Sequence, residues 1–493
     1  MTVRQRTFFP PLIGLTVGGT ILAAGVGMVV CALIGFSDGE AGPQFAISGG
    51  GCVAVGTLLL WASMSGHQAG LTVRPATGFL AVFLAWVIGS AAGAIPLLAA
   101  GVFSSPLDAY FEAVSGFTTG GATLLPDVEA QPDAVLAWRS TMQWLGGIGI
   151  IVLVVAVAPV TGPGIQRVFY AETTATISDR LTPRIIDTAK IIAGIYLVLT
   201  SSAAIAYLLA GMGPFDAVNH AMTTLATGGF STRNRSIGSF DSVAIELVVI
   251  LFMLIGGINL AFYWRVIRGK QLRPQSSEVL AFFGIVAGTS AAVAVSFWLA
   301  GAAGDGEGTL DAVFGMTSVI SSTGYATTDF NEWNSFARTT ILVAMFIGAC
   351  AGSTAGGLKV IRVMLLGKAA LQELQLQLRP NAVRVLRVGG HVYSEGVRRA
   401  VLGFFLIYVL VYAAGVVMMA ASGLEPLTAI SAASASLNVI GIGFGEIGAF
   451  DNFEILNPFA RVVSCVLMIA GRLEVFTVVA LLAAFYERIR EIR

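Results

Sequence analysis

Ten apolar runs, each about the 20 residues needed to cross roughly 30 Å of hydrocarbon, recur along this chain from its first turns to its last. Backbone inside a bilayer has no water to bond, so runs of this kind fold as membrane-spanning helices. They lie near residues 11–36, 45–65, 77–101, 135–160, 188–211, 241–265, 278–301, 337–364, 399–421 and 459–486. Composition agrees: 56% of the 493 residues are hydrophobic and 11% are charged, against about 25% charged in soluble domains. The first run follows Arg4 and Arg6 as a signal peptide would. It continues from about Pro11 to Phe36 without a polar cleavage region, so it is read as a retained helix.

Lys and Arg orient the spans, because cytoplasmic loops retain them. With the N-terminus inside, 22 of the 28 basic residues fall on that side: Arg4, Arg6, Arg74, the groups at 167–190, 265–273 and 359–399, and Arg488, Arg490 and Arg493. Arg139, Arg233, Arg235, Arg338 and Arg461 fall outside, and Arg472 falls within the membrane. Both termini are therefore expected in the cytoplasm. A formal net charge of zero gives no basis for a nucleic-acid partner. Cys31, Cys52, Cys350 and Cys465 lie in or beside apolar runs, form no C-x-x-C pair, and read as small buried residues.

From the third run onward, each outside connection holds a further apolar stretch too short to cross. These read SSPLDAYFEAVSGFTTGGAT (104–123), GPFDAVNHAMTTLATGGFST (213–232), GTLDAVFGMTSVISSTGYAT (308–327) and EPLTAISAASASLNVIGIGF (425–444). Each has a helix-start residue, about three turns of small and apolar residues, and a non-helical end in Gly. Aligned on Gly121, Gly228, Gly324 and Gly441, the copies are 107, 96 and 117 residues apart. Four modules of one kind follow a two-span hairpin.

Non-helical backbone at membrane depth survives only where protein buries it or water lines it. Four such segments around one axis can share a cation among their carbonyls, which is the arrangement of a selectivity filter. Gly permits the required backbone angles, Thr and Ser add hydroxyl oxygens, and helix carbonyl ends aimed at the site add a negative dipole end. Taken singly, a Thr-Gly pair in so glycine-rich a chain marks only close helix packing; the fourfold recurrence is what carries the reading.

Six segments then match in order: SGFTTGGAT from Ser115, ATGGFST from Ala226, SSTGYATTDF from Ser321, CAGSTAGGLKVIR from Cys350, LNVIGIGFGE from Leu437 and GRLEVFT from Gly471. On these the chain resembles the Trk/Ktr/HKT superfamily of K⁺ transporters, in its bacterial TrkH-type branch, from about residue 77 to the C-terminus. The first two spans resemble that branch's extra N-terminal hairpin. The resemblance implies an all-α integral membrane fold, with four helix, pore-loop, helix repeats around a central pore (71–165, 166–270, 271–390 and 391–493) behind a hairpin (1–70). It implies a homodimer in the cell inner membrane, each subunit with its own K⁺-selective pore. The filter would be Thr118, Thr119, Gly120, Gly121, Ala226, Thr227, Gly228, Ser322, Thr323, Gly324, Val439, Ile440 and Gly441. K⁺ would rest on carbonyls of Thr119, Gly120, Ala226, Thr227, Ser322, Thr323, Val439 and Ile440. Gly120 stands where the family commonly has a further Thr, which removes one hydroxyl. Gly121 argues against the Na⁺-passing plant relatives, which often carry Ser there.

Gly348, Gly352, Gly356 and Gly357 crowd the eighth run. At about 1 kcal/mol each relative to Ala they disfavour a continuous helix; a close-packed helix face is the alternative. By resemblance Gly352, Ser353, Thr354, Gly356 and Gly357 form an intramembrane gate below the filter, with Arg472 narrowing the path. Arg472 lies about 13 residues into the last run, roughly 20 Å deep, where a charge needs water or a partner. A barrier to cations and a structural ion pair between helices are both open at this point, with Glu474 a weak candidate partner.

The outside loops carry Asp127, Glu129, Asp133, Asp305, Glu307, Asp329, Glu332, Glu446, Asp451 and Glu454. Together they would concentrate cations at the mouth; singly they read as solvated loop residues. No Walker A or strand-borne G-x-G-x-x-G motif is present, so no nucleotide is expected on this chain. By resemblance, nucleotide control falls to a cytosolic ring of the TrkA kind docking on Lys359 to Arg399. A membrane hydrolase would need nucleophiles or metal ligands together inside the bilayer, and His67, His220 and His391 are far apart.

Overall fold

The computed structural model describes residues 11–65, 75–157, 185–269, 275–301, 307–379 and 385–475. Helices α1 (Pro11–Asp38) and α2 (Gly42–Ser65) form an antiparallel hairpin whose turn places Ala41 at φ 57°. Their seam is built from glycine: a Cβ on Gly25 would stand 2.8 Å from the Val53 amide nitrogen, and one on Gly56 2.7 Å from that of Leu22. Lipid tails are as apolar as leucine, so close approach of small residues is what joins such helices. The α1 helix also packs on α3 (Pro75–Ala99) and α5 (Asp133–Val157), docking the hairpin against the rest.

From α3 onward one pattern recurs. Between α3 and α5 stands the short α4 (Pro106–Phe117). Next come α6 (Ile185–Ala210), short α7 (Pro214–Leu225), α8 (Val243–Gly256) and its continuation α9 (Leu260–Ile267). The third copy is α10 (Gln275–Leu299), short α11 (Glu307–Ile320), α12 (Ser335–Ala344) and, after a loop, α13 (Val360–Leu378). The last is α14 (Glu395–Ala421), short α15 (Pro426–Asn438) and α16 (Pro458–Arg472). The short helices have 12 to 14 residues, too few to cross, so the chain turns back partway. Pro106, Pro214 and Pro426 open three of them, where the missing N–H leaves no bond unmade.

Among the described residues, six helices (α1, α2, α3, α6, α10 and α14) are long and apolar enough to cross a membrane. The α8–α9 pair makes a seventh span if counted as one, bent by 88°. The lipid-facing character is visible on α14, where Leu402, Leu406, Leu410 and Val417 are exposed. One small hairpin, β1 (Leu386–Val388) with β2 (His391–Tyr393), interrupts the helices and packs on α13.

Three spans depart from unbroken helices. The sixth breaks at Gly257, because Asn259 caps a new helix by accepting from the Ala261 N–H at 2.8 Å. The eighth is interrupted at 345–359, as its glycines suggest. The tenth was expected to run to 486, yet α16 stops at Arg472, with Glu474 and Val475 at φ 56° and 39°. The positions after 475, and Arg4, Arg6, Arg74 and the basic residues at 167–184, lie outside the described residues.

Packing between the copies runs in one direction. Helix α5 packs on α7, α8 on α11, and α16 on α4. At these three junctions the second helix of one repeat thus buttresses the short helix of the next, and the fourth repeat returns to the first.

Candidate functional site

The four short helices end alike. Gly120 N–H donates to Ser115 O (2.6 Å), Gly228 to Thr223 (2.9 Å), Thr323 to Ser318 (2.8 Å) and Ile440 to Ala435 (3.0 Å). The residue before each donor is left-handed though not glycine: Thr119 (φ 59°), Thr227 (52°), Ser322 (57°) and Val439 (56°). Such a conformation costs about 1–3 kcal/mol and collects at functional sites. The residue after each donor is a left-handed glycine: Gly121 (71°), Gly229 (77°), Gly324 (80°) and Gly441 (85°).

This register corrects the second copy. Gly229, not Gly228, is equivalent to Gly121, and Gly228 is equivalent to Gly120. The carbonyl pair matching Thr119 and Gly120 is therefore Thr227 and Gly228, with Ala226 one step back at the helix C-cap. The other quarters keep their expected alignment.

The four glycines close a ring. A Cβ on Gly121 would lie 2.5 Å from Gly228 O; on Gly229 it would collide with Thr323 O, on Gly324 with Ile440 O, and on Gly441 it would lie 2.5 Å from Gly120 O. Each quarter's glycine thus packs on the preceding-position carbonyl of the next quarter, and the fourth returns to the first. Position by position, any side chain here meets backbone.

Directly beneath lies the loop between α12 and α13. Thr354 Oγ1 donates to Leu225 O (3.0 Å) and accepts from Thr227 Oγ1 (3.2 Å), under the second quarter. Gly356 abuts Asn438 O under the fourth. The loop is pinned from the side by Cys350 N–H to Gly257 O (3.0 Å), Asn259 Nδ2 to Ala351 O (2.8 Å) and Ala351 N–H to Glu278 Oε1 (2.7 Å). Gly352 and Gly357 both take φ 76°, and Ser353 Oγ donates to Cys350 O at 2.6 Å. Arg472, 4% exposed, donates from Nη1 to Thr354 O and from Nη2 to Gly146 O at 2.9 Å. Its partners are carbonyls on the loop and on α5. The ion pair considered for it does not form, because Glu474 pairs instead with Arg362 at 2.5 Å.

The TrkH family model, described as a cation transport protein, matches residues 41–287 and 301–489. The Trk system potassium uptake protein TrkH of Halomonas elongata is 37% identical over 92% of this chain and 94% of its own. That of Salmonella typhimurium is 36% identical over 99% and 100%. A crystal structure of the potassium transporter TrkH from Vibrio parahaemolyticus superposes with a TM-score of 0.86 at 35% identity, covering 96% of this chain and 98% of that one. The chain belongs to the TrkH family. TrkH-family proteins are multi-pass membrane transporters rather than enzymes, and the helices here fit that class.

The ring of this TrkH-family chain is held from behind by polar residues that sequence reading passed over. Glu112 is fully buried on α4. It accepts from Thr123 Oγ1 (2.9 Å), Leu124 N–H (3.0 Å) and Arg139 Nε (2.8 Å). Arg139, placed on the outer side of the membrane by its position, is buried at 2% exposed. His220 stands at the position in α7 equivalent to Glu112, eight residues before Gly228 as Glu112 is before Gly120. Its ring nitrogens meet Asp216 O (2.8 Å) and Ser231 Oγ (2.9 Å). The available signal was a titratable residue in the middle of each of the first two half-spans. Outside the ring, the acidic loops serve the turns: Asp329 caps Asn331 N–H, and Asp451 accepts from Gly448 N–H. Asn234 Nδ2 beside Asp127 holds that carboxyl below the usual carboxylate range.

Proposed function

We propose that this protein conducts K⁺ into the cell through the ring of residues 118–121, 226–229, 321–324 and 438–441, as the uptake subunit of a Trk system. The observation that carries this is the cyclic packing of four left-handed glycines on four neighbouring carbonyls. It leaves backbone oxygens, with no side chains between them, to replace the water of a dehydrated cation. The short helices present their carbonyl ends to the same place, which favours positive charge. Similarity to proteins called potassium uptake proteins supports K⁺ as the cargo.

In this reading the loop with Gly352, Ser353, Thr354, Gly356 and Gly357 occludes the path below the filter, and Arg472 holds it shut while raising the barrier to cations. The chain works as a homodimer in the inner membrane with both termini cytoplasmic. A separate nucleotide-binding ring of the TrkA kind docks on Lys359 to Arg399 and sets the open fraction; no nucleotide binds this chain.

The test is ⁸⁶Rb⁺ uptake into liposomes with K⁺ or Na⁺ as competitor. K⁺ competes strongly and Na⁺ weakly with the wild type, and Gly121→Ser narrows the difference. Equal competition by both ions in the wild type would overturn K⁺ selectivity. An unchanged ratio in a folded Gly121→Ser protein would remove the filter from this ring.

A further inference from the structure

Arg139, Gln143 and Gly147 stand four residues apart on one face of α5, and each meets the second quarter of the ring. Arg139 Nη1 donates to Ser231 O at 3.1 Å, and its guanidinium lies 4.1 Å over the Phe230 ring. Gln143 Nε2 donates to Gly228 O at 2.7 Å, while its Oε1 accepts from Phe230 N–H at 3.1 Å. A Cβ on Gly147 would lie 3.0 Å from Ala226 Cα. One helix of the first repeat therefore splints the neighbouring quarter from Ala226 to Ser231.

Gln143 has the closest hold. Its side chain is fully buried, and its two bonds straddle Gly229, the glycine that packs on Thr323 O of the third quarter. Carbonyl Gly228 O can only accept and Phe230 N–H can only donate, so one amide orientation satisfies both. The corresponding position in the fourth repeat is different. Gly146 abuts Phe117 O and Gly471 abuts Leu437 O, so three residues earlier Gln143 corresponds to Met468. Met468 Sδ sits 2.8 Å from where a Cβ on Gly120 would stand, and a thioether donates no hydrogen bond. The first quarter is packed at this point; the second is hydrogen-bonded.

We propose that Gln143 is a positioning residue for ion discrimination, fixing the Gly228 carbonyl and the Phe230 amide on either side of Gly229. This rests on the ring being the selectivity filter. With both bonds gone, Gly228 O and Phe230 N–H turn to other partners, the second quarter loosens, and the ring fits a smaller cation better than it did. Gln143→Met removes both bonds at similar length and copies Met468. Gln143→Glu keeps the acceptor for Phe230 N–H and loses the donor to Gly228 O.

The experiment compares wild type, both Gln143 variants and Gly121→Ser, each full-length and reconstituted, by ⁸⁶Rb⁺ uptake with K⁺ or Na⁺ competing, alongside the detergent melting temperature. Gln143→Glu is expected to lower the K⁺ over Na⁺ competition ratio about fivefold, the factor that one net hydrogen bond of about 1 kcal/mol sets, and Gln143→Met, which removes both bonds, by at least as much. If Gln143→Met does not fold, Gln143→Glu decides. A wild-type ratio in a folded Gln143 variant, with a changed ratio in Gly121→Ser, overturns the proposal while the filter stands, even if the melting temperature falls. A wild-type ratio in Gly121→Ser overturns the filter reading and this proposal with it.

Discussion

Thr119, Thr227, Ser322 and Val439 hold a strained conformation because the next residue's amide is locked back onto the short helix five residues earlier. The same locking decides what single substitutions do. Glu112 and Arg139 form a fully buried pair, and removing one partner strands the other. Arg139→Ala is expected to destabilise the protein by about 3–5 kcal/mol, read as a lower detergent melting temperature; an unchanged melting temperature would count against the pair. Arg472 differs, since its partners are carbonyls that lose a donor rather than a counter-charge. A unit charge repels K⁺ by about 4 kcal/mol at 4 Å with an effective dielectric of 20, and less where water screens it. Arg472→Ala is therefore expected to raise ⁸⁶Rb⁺ uptake with little change in selectivity. Lower uptake together with a lower melting temperature would show that the residue is structural instead.

Two broken helices cooperate at the level of elements. Breaking α8 from α9 frees Gly257 O and Asn259, and both are spent on the loop that breaks α12 from α13. Glu278 of α10 adds a third anchor. The loop is thus a discrete piece, held at its edges and pressed under the second and fourth quarters by Thr354 and Gly356. Shortening it removes the part that reaches those quarters. Deleting Ala351 to Gly356 is expected to raise ⁸⁶Rb⁺ flux; unchanged or abolished uptake in a well-folded protein would mean the loop is not the gate.

The whole molecule repeats its cyclic order at the outer rim. Val128 N–H donates to Asn234 Oδ1 (2.7 Å), Gly238 N–H to Ala326 O (3.1 Å), Gly445 N–H to Asn331 Oδ1 (2.9 Å) and Phe453 N–H to Thr123 O (2.8 Å). Each bond links one repeat to the next, and the last links the fourth to the first. Asp127 belongs to the first link through Asn234 Nδ2, and this holds its carboxyl below the ordinary 3.8. A depressed folded value gives stability that is fully present above the ordinary value and is lost as pH falls through the depressed one. Wild type is accordingly expected to melt slightly above Asp127→Asn at neutral pH, with the gap closing below about pH 4. A gap that persists in acid would sink this account of the link.

Hydrophobic runs and the four half-span segments, with Pro106, Pro214 and Pro426 marking their starts, were legible in the amino-acid order because bilayer energetics and helix-start chemistry act locally. So were the non-helical segments that follow them and the glycine break before Val360. Choosing between Gly228 and Gly229 was not: both permit left-handed backbone, and only the bond from Gly228 N–H to Thr223 O and the contact of Gly229 with Thr323 O select one. The ends of α8 and α16 were equally hidden, since the apolar pattern runs on past Gly256 and Arg472 while tertiary bonds stop the helices. The burial of Arg139 was hidden as well, since Glu112, which permits it, lies 27 residues earlier on another helix. Tertiary structure alone decided those matters, because each depends on groups far apart in sequence that only the closed ring brings together.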